Sequence, residues 1–425
     1  MSNRNYNASI LTQNAAYFTS VANSHNRKGS NHMFENAGFR QNVHRHYMPP
    51  QNMRYENKLE YTKNNIDMVE RIHGGINQWL TKISDGLTMG YHTLATDQLG
   101  NIYVTGNFSG QYLSSVGTDG SVVSMIYLGG IDIFITKYTP AGLVSWVRRI
   151  GGANNQSVPS IATDKDNNIY IAGQYATTSV CTFNSGSIVP FLSSPISGDN
   201  DIFVTKYDQS GNNIWLTKIA GMGSDSGPSI ATDKYNNIYI AGQYATSSVC
   251  TFNRDNTSYI SSVIHGISDN IFIAKYNSDG YNQWLTRMGG VSYLRESSLT
   301  TDSIGNIFVT GKYANPLSSF NSDSSTIVAS TLFAGSSKCS IFVAKYTPLG
   351  INEWLFRVGD TSSAMSFTHL PSIATFEDKF IYVTTIFHSS ISTFNYNSGP
   401  DRNSLPISTI STSGLYDIVI AKYTI

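Results

Sequence analysis

The text SIATDKDNNIYIAGQYATTSVCTFN from Ser160 returns almost letter for letter from Ser229 as SIATDKYNNIYIAGQYATSSVCTFN, about 69 residues on. A period of that size restricts the chain to architectures that stack one supersecondary unit. The five tryptophans of the chain, Trp79, Trp146, Trp215, Trp284 and Trp354, keep the same step, at 67, 69, 69 and 70 residues. Other landmarks march with them. A strand ending in Asp stands as TLATD, SIATD, SIATD and SLTTD, at Asp97, Asp164, Asp233 and Asp302, and as SIATF at Phe376. A second reads NIYVTG, NIYIAG, NIYIAG, NIFVTG and FIYVTT, and a third carries Lys137, Lys206, Lys275, Lys345 and Lys422 in register.

Each segment is short, rich in Ile, Val, Thr, Tyr and Phe, alternates with period two, and is bounded by Gly, Asn and Asp. Four such strands per unit, five units and no helical stretch within the repeat predict an all-β, five-bladed β-propeller of four-stranded antiparallel blades over residues 75–425. A solenoid is the alternative, but its units are usually shorter and need end caps. The phase of the repeat predicts how the ring closes. The unit beginning near Ser372 runs to Tyr423 without a Trp strand, and QWLTKI at 78–83 has no strands before it. With the Asp strand innermost and the Trp strand outermost, residues 78–83 complete the C-terminal blade, about 372–425, and remove an open sheet edge.

Residues 1–74 read differently. They are rich in Asn, Ser and His without a sustained period, and carry nine basic against five acidic residues in a chain whose 28 Lys+Arg balance 28 Asp+Glu. This predicts an extended N-terminal arm without its own core, with an amphipathic helix over 55–72 from the spacing of Tyr55, Leu59, Ile66, Val69 and Ile72. The arm's His44 and His46 lack the Cys or carboxylate neighbours of a coordination shell, so no metal and no cofactor is expected. Charged residues are only 13%, and no global field points to nucleic acid. No apolar run reaches the length of a membrane span, and the first residues lack the apolar core of a secretory signal. The expected setting is therefore intracellular or within a particle. Cys181 and Cys250 occupy one place in consecutive units, with Cys339 apart, and read as free packed thiols.

The recurring residues each admit two readings. Trp is a sugar platform or fills the wedge between blades. The Asp residues form a carboxylate ring or cap the turn D-x-x-[GN]-N by accepting N–H bonds. The simpler account of four equivalent carboxylates is the cap, because acid catalysis needs two in different environments. The repeated Lys, with the basic residues three after each Trp (Lys82, Arg149, Lys218, Arg287, Arg357), form a ring for an anion, or lie against Asp and the blade surface. The insertion between second and third strands, for example TTSVCTFNSGSIVPFLSSPISGDN from Thr177, suits binding loops or an added hairpin. No P-loop, GxSxG, HExxH or CxxC is present. His92, Glu296, Glu353, Asp360 and His369 are the non-repeated candidates for asymmetric chemistry.

The text D-x-x-G-N-I-Y-V-T-G, then D-I-F-[IV]-[TA]-K-Y and a Trp strand ending in GG, resembles the SBBP family of β-propeller repeats. It stands most fully as Asp97 to Gly106, Asp132 to Tyr138 and Trp146 to Gly152. The family name implies seven blades where this chain counts five, and the fifth unit departs with Phe376 for Asp and Thr385 for Gly. The resemblance implies a scaffold or binding role and supplies no catalytic residues. The expected function is a non-enzymatic scaffold in a larger assembly, meeting protein partners through the arm or the insertions. The Asn, Tyr, Ile and Ser content typical of AT-rich coding leaves open a large DNA virus, a low-GC bacterium or a protist, and for a virus the virion is one such assembly. The alternative is a carbohydrate-active propeller, lectin or glycosidase. A lectin would present surface pairs such as Gln174 with Tyr175 and Gln243 with Tyr244, replaced by Asn107 and Phe108 in the first unit. The ligand is not legible.

Overall fold

A computed structural model describes residues 77–425 apart from loop segments, the longest being 323–339, 361–370 and 394–407. The arm 1–74 and the helix expected over 55–72 lie outside the described residues. Among these, every regular element is a strand and the strands lie in antiparallel sheets.

Four sheets follow one plan. In the first blade, strands Gly90–Thr96, Ile102–Phe108, Asp132–Tyr138 and Val144–Gly151 run from the axis outward. The same order holds for Gln156–Thr163 to Asn213–Gly221, for Asp225–Thr232 to Asn282–Gly290, and for Leu294–Thr301 to Asn352–Asp360. The inner strands pack one against the next in succession, ending with Ser372–Phe376. A threonine ladder ties them. Thr163, Thr232, Thr301 and Thr375 each donate a hydroxyl to the carbonyl of Thr96, Thr163, Thr232 and Thr301 in the preceding unit, at 2.6 to 2.8 Å.

The blades are wider than four strands, and the Trp strand is not outermost. The insertion of the next unit folds into a hairpin that joins the outer edge. Ser179–Asn184 pairs with Val144–Gly151, and Ser187–Ser193 lies beyond it. Ser248–Phe252 and Ser390–Thr393 do the same for the second and fourth blades. Each unit therefore finishes its predecessor's sheet, and the insertion is structural before it is anything else.

The pairing expected between 78–83 and the C-terminal blade is not formed. Ile83–Ser84 pairs with Tyr112–Val116, which pairs with Val122–Ile126, as a separate three-stranded sheet. Ser372–Phe376, Phe380–Phe387 and Asp417–Thr424 form another. The donated hairpin holds the outer edge of the Trp79 segment, as it does in the complete blades, while on its inner side that segment pairs with no described strand.

The departures of the last unit compensate one another. Elsewhere a second-strand glycine faces a third-strand phenylalanine, as Gly173 faces Phe203, and a Cβ on Gly173 would stand 2.6 Å from the ring. In the last unit Thr385 faces Val419, a larger residue opposite a smaller one.

Candidate functional site: blade clamps and the divided blade

The aspartates cap turns. Asp97 accepts from the Leu99 and Asn101 amides, both at 2.9 Å, from Asn101 Nδ2 at 2.8 Å and from the Tyr103 hydroxyl at 2.9 Å. Asp164 and Asp233 repeat the set, and Asp302 repeats it where Phe308 replaces the tyrosine. Burial opposes ionisation of Asp97, but the bonds from Asn101, Tyr103 and Leu99 outweigh it and hold the carboxyl below its ordinary range. The fourth turn residue is left-handed, Gly100 and Gly305 or Asn167 and Asn236 at φ 63, which is why the motif reads [GN] there.

Lysine and tryptophan act together across blades. Lys137 and Trp146 face each other in register, and Lys137 Nζ and Trp146 Nε1 both donate to the Gln209 carbonyl at 3.0 Å in the turn of the next unit. Lys206 and Trp215 share the Ser278 carbonyl, and Lys275 and Trp284 the Pro348 carbonyl. The indole covers the left-handed glycine of that turn: a Cβ on Gly280 would stand 2.9 Å from Trp215. Each Lys also lies over an aromatic ring, 5.4 to 5.5 Å from the centroids of Tyr103, Tyr170 and Tyr239. Burial lowers Lys137, Lys206 and Lys275, partly offset by the turn aspartates. Trp79 is already clamped to the first blade, its Nε1 donating to the Pro140 carbonyl at 3.1 Å.

The basic residues three after Trp are not an exposed ring. Arg149, Lys218 and Arg287 are buried, Arg149 lying 3.6 Å from Asp132, whereas Lys82 is exposed. Near them the fully buried Asp225 is pushed well above its ordinary range, by burial first and then by the field of Asp201. In the lectin pairs Gln174 and Gln243 are half-buried and the tyrosines do not face solvent. Tyr175 and Tyr244 are fully buried between blades, where Tyr175 meets Phe203 at 6.5 Å. Of the non-repeated candidates, Glu353 pairs with Lys345 at 2.8 Å and His92 lies exposed on the first inner strand. Glu296 and Asp360 are described by backbone alone, and His369 lies outside the described residues. The two whose side chains are described, His92 and Glu353, lie on strands of different sheets.

The complementarity that the repeat phase foretold is present as two three-stranded sheets, and what it did not foretell is that they stand apart. A complete blade runs, outside to inside, hairpin, hairpin, Trp strand, Lys strand, second strand, Asp strand. One small sheet is the outer half of that order and the other is the inner half. Apolar side chains on both sides of the division are open. Leu94, whose equivalents Ile161, Ile230 and Leu299 are buried, is 67% exposed; Ile418 and Ile420 are 68% and 69% exposed where Ile202 and Val204 are buried. Leu80 is 85% exposed where Leu216 and Leu285 are buried. No helix among the described residues is long and apolar enough to cross a membrane.

This is the build of a propeller repeat, and a model of the SBBP beta-propeller repeat family matches residues 145–174. An uncharacterized WD repeat-containing protein of Acanthamoeba polyphaga mimivirus is 28% identical over 293 residues, 64% of this chain and 19% of that protein. The regulatory protein FlaEY of Caulobacter vibrioides is 26% identical over 115 residues, 27% of this chain and 12% of that one. The chain thus spans a fifth or less of these relatives. Among solved structures, polysaccharide lyase Uly1 is similar at TM-score 0.35 and 13% identity, over 70% of this chain and 55% of that one. The NanB sialidase from Streptococcus pneumoniae gives 0.29 and 11%, over 83% and 72%. At scores this low neither bears on the chemistry of this chain.

Proposed function

We propose that this chain is a non-enzymatic β-propeller scaffold in a larger assembly, with residues 1–74 as its docking segment and its repeats closing into five blades. The observation that carries the reading is the use of the repeated polar residues. The turn aspartates cap their own turns, and in the complete blades Trp and Lys bond mainly the turn of the next unit, so the residues that recur hold blades together. The divided halves supply the fifth blade when Trp79–Ser84 lies beside Asp417–Thr424. By the register of the other blades Trp79 then faces Lys422, as Trp215 faces Lys206. Thr96 then offers the fifth hydroxyl of the axial ladder. In sequence, Gly75-Ile76-Asn77-Gln78-Trp79-Leu80 repeats Gly350-Ile351-Asn352-Glu353-Trp354-Leu355 but for Gln78. The mimivirus relative supports a viral setting, and a viral particle is the assembly we propose there. Purification of the full chain from its source tests the role of the arm. Protein partners should co-purify and be lost on deletion of residues 1–74. Partners retained in full by residues 75–425 would overturn that role.

A further inference from the structure

The divided blade leaves two surfaces on one molecule that fit each other. One is the edge of Asp417–Thr424, which pairs only with Phe380–Phe387 among the described strands, together with the exposed face of Ile418 and Ile420. The other is the Trp79–Ser84 segment with its hairpin Tyr112–Val116 and Val122–Ile126, beside the exposed Leu94 face of the first blade. The complementarity can be read from the interior seams, where the same positions are shut. There Ile133, Ile135 and Trp146 of one blade bury against Ile161, Ile171 and Leu216 of the next. An apolar face beside an unpaired edge strand is a template for another chain.

We propose that a second copy of this chain is a partner for this seam. The outer half of one copy seats on the inner half of the next, and copies add head to tail. The inference rests on the reading above that the two halves belong to one blade. Each half already sits on its own neighbour: Trp79 is clamped to Pro140, and Ile381, Val383 and Val419 are buried against Phe308, Ile341 and Val343. Joining between copies therefore keeps both halves where they are, whereas joining within one copy requires the opening between them to close. Such a contact is heterologous, so it extends until it closes on itself. The closed single ring and the joined copies share every contact of the completed blade. The balance between them is set by closing strain against the entropy of association, and shifts toward joined copies with concentration.

The test uses the full chain with Cys181, Cys250 and Cys339 replaced by Ser and a cysteine pair introduced by Thr81→Cys and Ile420→Cys. These positions oppose each other by the register in which Thr217 opposes Val204, within reach of a disulfide. Mild oxidation should give a ladder of covalent dimers and higher species that grows with protein concentration. Cross-linked monomer alone at every concentration would overturn the proposal and leave the completed blade standing. No cross-link of either kind would overturn both. A variant with native cysteines guards against misfolding of that background. Ile420→Lys alters an exposed side chain and should reduce the mass in sedimentation at high concentration at least twofold toward the monomer. A wild-type chain monomeric throughout would overturn the proposal on its own.

Discussion

Between the second and third blades, Ile202, Val204 and Trp215 pack against Ile230, Ile240 and Phe272, all but fully buried. At the divided blade the same positions hold Ile418, Ile420 and Trp79 on one side and Leu94, Val104 and Phe134 on the other. Ile418, Ile420 and Leu94 are exposed, while Phe134 is covered by the hairpin and Ile83. The residues are of the same kind, so their exposure reports position in the stack. Burial in a stacked architecture belongs to the interface between units, and a unit without its neighbour keeps its strands but loses that term.

The largest expected effects measure this contrast directly. Ile273→Ala, at a fully buried position, should cost about 2–5 kcal/mol by denaturant unfolding, from lost transfer energy and the cavity left behind. Ile420→Ala, at the equivalent exposed position, should stay within about 0.5 kcal/mol. Equal losses would mean that the seam is shut in solution. Trp215→Ala should likewise cost about 3–5 kcal/mol, since it uncovers Gly280 and removes a donor from the Ser278 carbonyl. Trp79, clamped on one side only, should cost clearly less.

The turn caps come next, because they are local and indifferent to the seam. Asp97→Ala leaves two amides, an amide side chain and a buried tyrosine hydroxyl without their acceptor, and should cost about 1–3 kcal/mol. The lowered Asp97 carboxyl adds stability above its unfolded value that is lost as pH falls through its folded one. The variant should therefore flatten the acid limb of a thermal melt. The last unit, with Phe376 in place of Asp, has no such cap to lose.

The period, the four strands, the Asp cap and the inter-blade Trp were legible because each repeats, and repetition separates structural need from accident. The partner of the Trp and Lys was not legible. It is a backbone carbonyl, contributed by Pro140, Gln209, Ser278 or Pro348 without regard to side chain. The donated hairpin was hidden for a related reason. An insertion such as Thr177–Asn200 shows strand propensity, but nothing in its own text says that its edge belongs to the preceding blade. The lectin pairs misled because Tyr175 and Gln174 are adjacent in sequence, while alternation sends neighbouring strand side chains to opposite faces.

A buried carboxyl in the third blade lies in the field of another in the second. Asp225 is raised by burial and by Asp201, so the folded chain binds a proton there more tightly than the unfolded one. Its contribution is most favourable below the unfolded value and is lost as pH rises through the folded one. Asp225→Asn should raise the melting temperature by a few degrees near neutral pH, on the order of 1 kcal/mol, and change it little at low pH. A gain that was equal at both ends would show that charge is not the cause.

The smallest effect compares two neighbouring inner strands. Both bulge at the same place, and the residue there is left-handed in each: Val158 at φ 50 and Gly227 at φ 58. Glycine reaches that conformation freely, whereas a β-branched residue is forced toward its own backbone, at roughly 1–2 kcal/mol. A Cβ on Gly227 meets nothing within 4 Å, so the strain lies in the backbone and not in crowding. Val158→Gly relieves it, less the extra freedom that glycine brings to the unfolded chain, and the net gain should be under about 1 kcal/mol. Gly227→Val should lose a similarly small amount, because the backbone strain it introduces is offset in part by the lower freedom of the unfolded chain. If both substitutions destabilise, Val158 is held in place by contacts of its side chain that outweigh its backbone.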